Sequence, residues 1–354
     1  MQNKKKIEYI DIWKFKSARF PFQIFIGGRG TGKTFSALTG ALGAGRPCEL
    51  EPGQRFIWMR TKDVQVEKMI SSDTFKKINK VTGTLHTTGK VDSTTYGFYR
   101  GVQDPEGRIL PEGDLLGYLF SLSSVANVRS IDFSDCSDWF WDEFIKEKND
   151  RRTIKDEAVA MLNAYETFNR NRELEGDPPL RLWMLANSNE IYNDIFKYLH
   201  IVNDVEKMIR KGRADLYLPD RALAIHLLET PKSFLEAKKQ TAIAKLTAGT
   251  EFFEMAYENK FAFNDFSLIA YRNLKGYRPI CHISGGAYIY MSGGKDEIYV
   301  CYAAARCEGF DTRTPQERRR FMQEIGASMI PYFTAGRLIF ESYELKALLL
   351  EILL

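Results

Sequence analysis

Gly27-Gly28-Arg29-Gly30-Thr31-Gly32-Lys33-Thr34 sets glycines, a lysine and a hydroxyl in the spacing G-x-x-x-x-G-K-T. Glycines at these positions let backbone N–H groups turn inward around a polyphosphate, because no Cβ stands in the way. Lys33 is placed to neutralise phosphate charge, and the Thr34 hydroxyl to hold Mg²⁺. An apolar run, Phe22-Gln23-Ile24-Phe25-Ile26, precedes the loop, and a helix-forming stretch from Phe35 follows it. A helix starting there adds its N-terminal dipole to the anion site. Residues 27–34 are therefore expected to bind a nucleoside triphosphate.

A second chemical feature is Trp139-Phe140-Trp141-Asp142-Glu143, an apolar strand ending in two acids. Beside a phosphate loop, Asp142 would complete the Mg²⁺ shell, and Glu143, pointing differently, would act as general base on an attacking water. Arginines able to stabilise charge on a transferring phosphoryl group are Arg170 and Arg172, expected at the end of a helix, and Arg29 within the loop, placed to act in cis. Asn187, at the end of a predicted strand, is positioned to sense a γ-phosphate or to cap a turn. Lys146, Lys148, Arg151 and Arg152 crowd the loop after Glu143. They form either a grip on a phosphate backbone or a solvated charged loop shared with Glu147, Asp150 and Asp156.

The elements that must hold these residues follow from periodicity. Over the first 203 residues strand and helix patterns alternate, as in a mainly parallel α/β sheet. Strands are predicted at 55–60, 118–122, 139–141 and 181–186, a helix at 156–174, and a β-hairpin insertion on the sheet edge at 82–113. Residues 204–245 are charged and broken by Pro219 and Pro231, which suits a small helical linker domain. Residues 246–354 read as a second α+β or α/β domain, with strands at 280–284, 287–291 and 297–303 and helices at 316–326 and 342–353.

Composition narrows the class. A hydrophobic content of 44% with 27% charged residues is that of a soluble globular protein, and no apolar stretch is long enough to span a bilayer. The five cysteines lack C-x-x-C spacing and are expected as reduced thiols in the cytosol, and the four histidines are too isolated for a zinc site. A net charge of +4 does not by itself imply nucleic acid, so any such contact must come from locally placed charge.

The sequence resembles the DNA-packaging ATPases (encapsidation proteins) of small phi-29-like tailed phages. The matching stretches are residues 26–34, 55–60, Trp141-Asp142-Glu143-Phe144-Ile145-Lys146-Glu147-Lys148, Phe168-Asn169-Arg170-Asn171-Arg172-Glu173, 185–188 and 249–251, in family order and spacing. The resemblance implies a P-loop NTPase core of the additional-strand type at 1–203, a linker at 204–245 and an RNase H-like domain at 246–354 that has lost nuclease activity. It further implies an ATP- and Mg²⁺-dependent motor that drives double-stranded DNA into a preformed capsid. That motor would be a ring, a pentamer, at the portal of the procapsid in the host-cell cytoplasm, with a structural packaging RNA as a further partner. By position, Arg170 corresponds to the family's arginine finger acting on a neighbour's site, and Arg129 to a second basic residue across that interface. Two other readings stay open. One is a terminase-like enzyme with an active C-terminal nuclease, for which Asp296, Glu297, Glu308 and Asp311 are the available acids. The other is a nucleotide-switched binding module. If the C-terminal domain instead grips nucleic acid, Arg306, Arg313, Arg318, Arg319 and Arg320 are the phosphate contacts to expect.

Overall fold

The computed structural model describes residues 8–71, 74–93, 95–128, 131–146, 154–188, 190–250, 253 and 264–354. They form two compact units, Met1–Glu190 with Lys211–Phe263, and Ile191–Arg210 with Asn264–Leu354.

The first unit is built on parallel strands that are apolar on both faces, as strands covered by helices must be. β1 (Phe22–Gly27) leads into α1 (Lys33–Leu42), and β2 (Arg55–Arg60) into α2 (Asp63–Ser71) and α3 (Thr74–Thr82). The expected insertion is an antiparallel set, β3 (His86–Lys90), β4 (Tyr96–Gln103) and β5 (Ile109–Ser121). The far half of β5 pairs parallel with β2, so the predicted strand at 118–122 is the end of the hairpin's last strand. β6 (Cys136–Asp142), α4 (Glu157–Asn169), α5 (Arg172–Glu175) and β7 (Arg181–Asn187) follow. The chain then supplies α6 (Asp194–Tyr198) and α7 (Val202–Arg210) to the second unit. It returns with β8 (Asp215–Leu218), β9 (Leu223–Leu228), α8 (Lys232–Lys239) and α9 (Ala242–Leu246).

The nine-stranded sheet has the order β3-β4-β5-β2-β6-β7-β1-β9-β8. β7 thus lies between the strand that feeds the glycine loop and the strand that ends in the two acids, pairing parallel with both. Strand alternation then sorts the side chains. Asp138 and Phe140 face the side of α1, where Phe140 joins Phe25, Trp58 and Trp183 over Ala37, Leu38 and Ala41. Trp139 faces α4 and meets Phe168, which also touches Phe120 and Phe133. Asp138 is fully buried, but accepts from Arg181 at 2.7 Å and from Trp183 Nε1 at 2.8 Å, so its charge is compensated.

Two expectations are corrected here. Residues 204–245 are not a helical linker domain: α7 belongs to the second unit, while β8 and β9 extend the large sheet, with Phe22↔Leu223 through Gly27↔Leu228 in parallel register. Ala222-Leu223-Ala224-Ile225-His226-Leu227-Leu228 is a short apolar run, the pattern of a strand buried on both faces, and it outweighs the charged flanks. The helix expected over 156–174 is two helices, broken at Arg170, whose φ of 50° ends the α-helical path.

The second unit carries β10 (Tyr277–Ile283), β11 (Ala287–Ser292), β12 (Ile298–Cys301), β13 (Glu308–Phe310) and β14 (Leu338–Phe340) in the order β13-β10-β11-β12-β14. The first three form an antiparallel meander, and the outer two add in parallel, one at each edge. α10 (Pro315–Phe321), α11 (Ala327–Thr334) and α12 (Tyr343–Leu353) bury Phe321, Met329, Leu345 and Leu349 against one sheet face. Among the described residues no helix is long and apolar enough to cross a membrane, and all five cysteines are free.

Gly40 illustrates how closely α1 is packed. A Cβ there would lie 2.0 Å from Trp13 Nε1, which donates to Ser36 O at 2.9 Å. Gly40→Ala is expected to destabilise the protein by about 1–3 kcal/mol, seen as a melting temperature several degrees lower by differential scanning fluorimetry. An unchanged melting temperature would mean that the indole can move aside freely.

Candidate nucleotide-binding and hydrolytic site

The glycine loop, both acids and Asn187 converge at the C-terminal ends of adjacent parallel strands, where open α/β sheets bind ligands. Gly30 and Gly32 have φ of 77° and 105°, a backbone region that side chains rarely adopt. At Gly32 a Cβ would also lie 2.9 Å from Tyr9 Cβ. The Thr31 hydroxyl donates to Gly28 O at 2.9 Å and closes the loop on itself.

Lys33 is buried and donates to Gly27 O at 2.7 Å, Gly28 O at 2.9 Å and Asn187 Oδ1 at 3.3 Å. Burial lowers its pKa to about 8, against the upward pull of Asp142 and Glu143 and with a further downward push from Arg29. Thr34 Oγ1 donates to Asp142 Oδ2 at 3.0 Å, which brings the two expected metal ligands together. Arg60, at the end of β2, reaches Asp142 Oδ2 at 2.8 Å and Glu143 Oε2 at 2.5 Å. Its side chain is 13% exposed and that of Asp142 3%. Glu143 sits just past the strand with φ of 60°, and its carboxylate shares the Arg60 guanidinium with that of Asp142.

A cavity of about 310 Å³ opens over these groups, lined by residues 29–35 together with Tyr9, Lys77, Asp142, Glu143 and Asn187 among others. Two rings line it, Tyr9 and Phe35, 6.0 Å apart between centroids, and Phe234 packs on Tyr9 at 5.8 Å. A lining of rings and charges suits a ligand with a flat apolar head and an anionic tail. The donor set Thr34 hydroxyl and Asp142 carboxylate, both oxygen, fits a hard divalent ion such as Mg²⁺.

Sequence reasoning placed Lys33, Thr34, Asp142, Glu143, Asn187 and Arg29 at one site, and the fold brings them together there. It did not find the roles of Arg60, Tyr9, Phe35 or Lys77. For Arg60 a signal was present, since it is a charged residue closing an apolar strand, as Asp142 is. The contacts of Tyr9 and Lys77 come from distant parts of the chain.

Arg170 is not near its own glycine loop. Nη2 donates to Ile131 O at 3.1 Å and Nη1 lies 3.5 Å from Asp132, in the loop before β6, whereas Asp142 closes that strand roughly 20 Å away. Arg172 is structural, donating to Cys136 O at 2.6 Å and Phe133 O at 2.5 Å. Lys146, expected to contact DNA, instead pairs at 2.6 Å with Glu157, which is 3% exposed. Arg129, Lys148, Arg151 and Arg152 lie outside the described residues.

In the second unit each of the four acids named for a nuclease is held by an arginine: Asp296 by Arg337, Glu297 by Arg272 at 2.9 Å, Glu308 by Arg320, and Asp311 by Arg313 at 2.7 Å. Arg313 and the Ser284 hydroxyl hold the Asp311 carboxyl well below the usual range. Two of the five arginines expected to contact phosphates, Arg313 and Arg320, are therefore committed to carboxylates, Arg320 to three of them.

Fold and site define an α/β protein with a P-loop, with one strand inserted between its loop-bearing and acid-bearing strands. Within that class, the profile of the Podovirus DNA encapsidation protein (Gp16) matches residues 6–278, and the chain belongs to that family. It is 33% identical over 156 residues to the DNA packaging proteins of Bacillus phages phi29 and PZA, which is 44% of this chain and 42% of theirs. The matched segment thus spans less than half the length of these relatives. The fold is similar to that of the bacteriophage Phi-29 viral genome packaging motor assembly (TM-score 0.66, 20% identity, 97% of this chain and 98% of that one). It is also similar to the Phi-28 gp11 DNA packaging motor (TM-score 0.56, 17% identity, 98% and 97%).

The lowered pKa of Lys33 gives a testable sign. An anion bound beside Lys33 raises its pKa again, so above about pH 8 nucleotide binding takes up a proton and affinity falls with rising pH. Calorimetry in buffers of different ionisation enthalpy should detect this uptake at about one unit above that value and not at about two units below. Buffer-independent enthalpies at both pH values would show that Lys33 is already fully charged.

Proposed function

We propose that this protein is the ATP-hydrolysing subunit of a motor that translocates double-stranded DNA into a preformed viral capsid. The observation that carries the reading is the joined set Lys33, Thr34, Asp142 and Glu143 at one cavity in a member of the encapsidation family. Lys33 holds the phosphates, Thr34 and Asp142 hold the metal, and Glu143 takes the proton from the attacking water. Mg²⁺ bound there neutralises charge on the β- and γ-phosphates. Asn187, bonded to Lys33, is placed to register whether a γ-phosphate is present. The rings of Tyr9 and Phe35 receive the base.

The subunits act as a ring, with five members the reading taken from the family resemblance, at the portal of the procapsid in the host cytoplasm. Arg170 lies at the far end of β6 from its own site and half exposed, which supports action on a neighbour's nucleotide over action in cis; Arg29 remains the cis cation. Arg129 is the second basic residue proposed at that interface, and Lys148, Arg151 and Arg152 the DNA contacts. The second unit is proposed as an RNase H-like docking module without nuclease activity, with the portal and a structural packaging RNA as candidate partners. The arginine partners of its four acids favour this over the nuclease reading.

Lys33→Ala should abolish nucleotide binding, whereas Glu143→Gln should keep binding and lose turnover, by titration and phosphate release. Equal loss of affinity in both would undo the role assignments. Turnover should rise when DNA and procapsid are added together, and a rate indifferent to both would remove the motor reading.

Arg170→Ala should leave ATP affinity nearly unchanged and cut turnover, because its contact forms mainly in the transition state. Mixed with Glu143→Gln protein, it should regain activity above either alone. Assembled mixtures without recovery would place the active arginine in cis.

A further inference from the structure

The loop that carries Glu143 is pinned on both sides. Phe144 and Ile145 are buried, and Phe144 N donates to Leu185 O at 3.3 Å, on the neighbouring β7. Three residues after Glu143, Lys146 meets Glu157 at 2.6 Å, with side chains 19% and 3% exposed. Glu157 is the first residue of α4, next to Asp156, whose carboxylate caps the helix by accepting from Val159 N at 3.1 Å. A pair this buried is unlike an exposed surface bridge, because its charges have largely been taken out of water and its attraction is little screened.

α4 is packed on rings along its length: Tyr165 and Phe168 lie against Trp139, and Phe168 also against Phe120 and Phe133. Its other end is Arg170. Glu143 and Arg170, with φ of 60° and 50°, are both in backbone conformations that cost energy and that tend to mark functional sites.

We propose that the Lys146–Glu157 pair is the mechanical link between the hydrolytic site and the Arg170 corner. When nucleotide and metal draw Asp142 and Glu143 away from Arg60, the displaced loop pulls on Glu157 and shifts α4, and Arg170 with it. Lys146 and Glu157 are thus positioning residues for the reaction, and the link rests on the nucleotide-site reading given above.

The test is hydrogen exchange on the full-length protein with and without a slowly hydrolysed ATP analogue and Mg²⁺. In the wild type, nucleotide should protect the glycine loop and also change exchange around Arg170. Lys146→Met and Glu157→Gln should keep the first response and lose the second, with nucleotide affinity within about twofold and turnover down about tenfold or more. The charge swap Lys146→Glu with Glu157→Lys should restore both, which also guards against variants that fail to fold. Protection of the wild-type glycine loop with no change around Arg170 would overturn the link and leave the nucleotide site standing. Absence of any response at the wild-type glycine loop would sink both.

Discussion

Arg60 stands between two carboxylates that are neighbours in sequence and close in space. Asp142 is almost wholly buried, and Glu143 follows it directly, so two negative charges gather at one strand end. The guanidinium answers both at once with its planar fork, which a lysine could not do. Lys33 supplies the second positive charge and rests on backbone carbonyls and Asn187. Two cations therefore balance the two anions before any ligand enters, while Arg29 and Lys77 leave the cavity with positive charge to spare. A nucleotide with its metal replaces these internal partners instead of creating order in an empty space.

That balance depends on strand order more than on any local motif. Arg60, Asp142, Asn187 and the glycine loop sit at the ends of β2, β6, β7 and β1, which are consecutive across the sheet. The sheet is held flat against its helices by large rings on both faces, with Trp58, Trp139, Trp141 and Trp183 fully buried. A base this densely packed fixes side chains at its edge to within the tolerance that proton transfer requires.

The glycine loop and the acid pair were legible because each is a local pattern: a fixed spacing of glycines in one case, an apolar run ending in charge in the other. The long insertion was legible as an edge hairpin for the same reason. What could not be read is what depends on pairing at a distance. Residues 223–228 look ambiguous alone and become a strand only because β1 offers them an open edge. The helix break at Arg170 has no glycine or proline to announce it. Lys146 reads as a free cation in a charged loop until folding brings Glu157 within 2.6 Å. The C-terminal arginines look like a phosphate-binding cluster until Arg313 is seen on Asp311, and Arg320 on Glu308, Glu317 and Glu324.

The neighbours of β1 bear on how the molecule comes into being. Phe22 lies in register with Leu182 on one side and with Leu223 on the other, so the strand that feeds the glycine loop has no partner from its own part of the chain. A ribosome making this protein releases the nucleotide loop early and its supports very late. Closing such long loops costs entropy before any contact is returned, which slows assembly of this edge of the sheet. During synthesis the glycine loop therefore exists without the scaffold that shapes it until most of the first unit has been made.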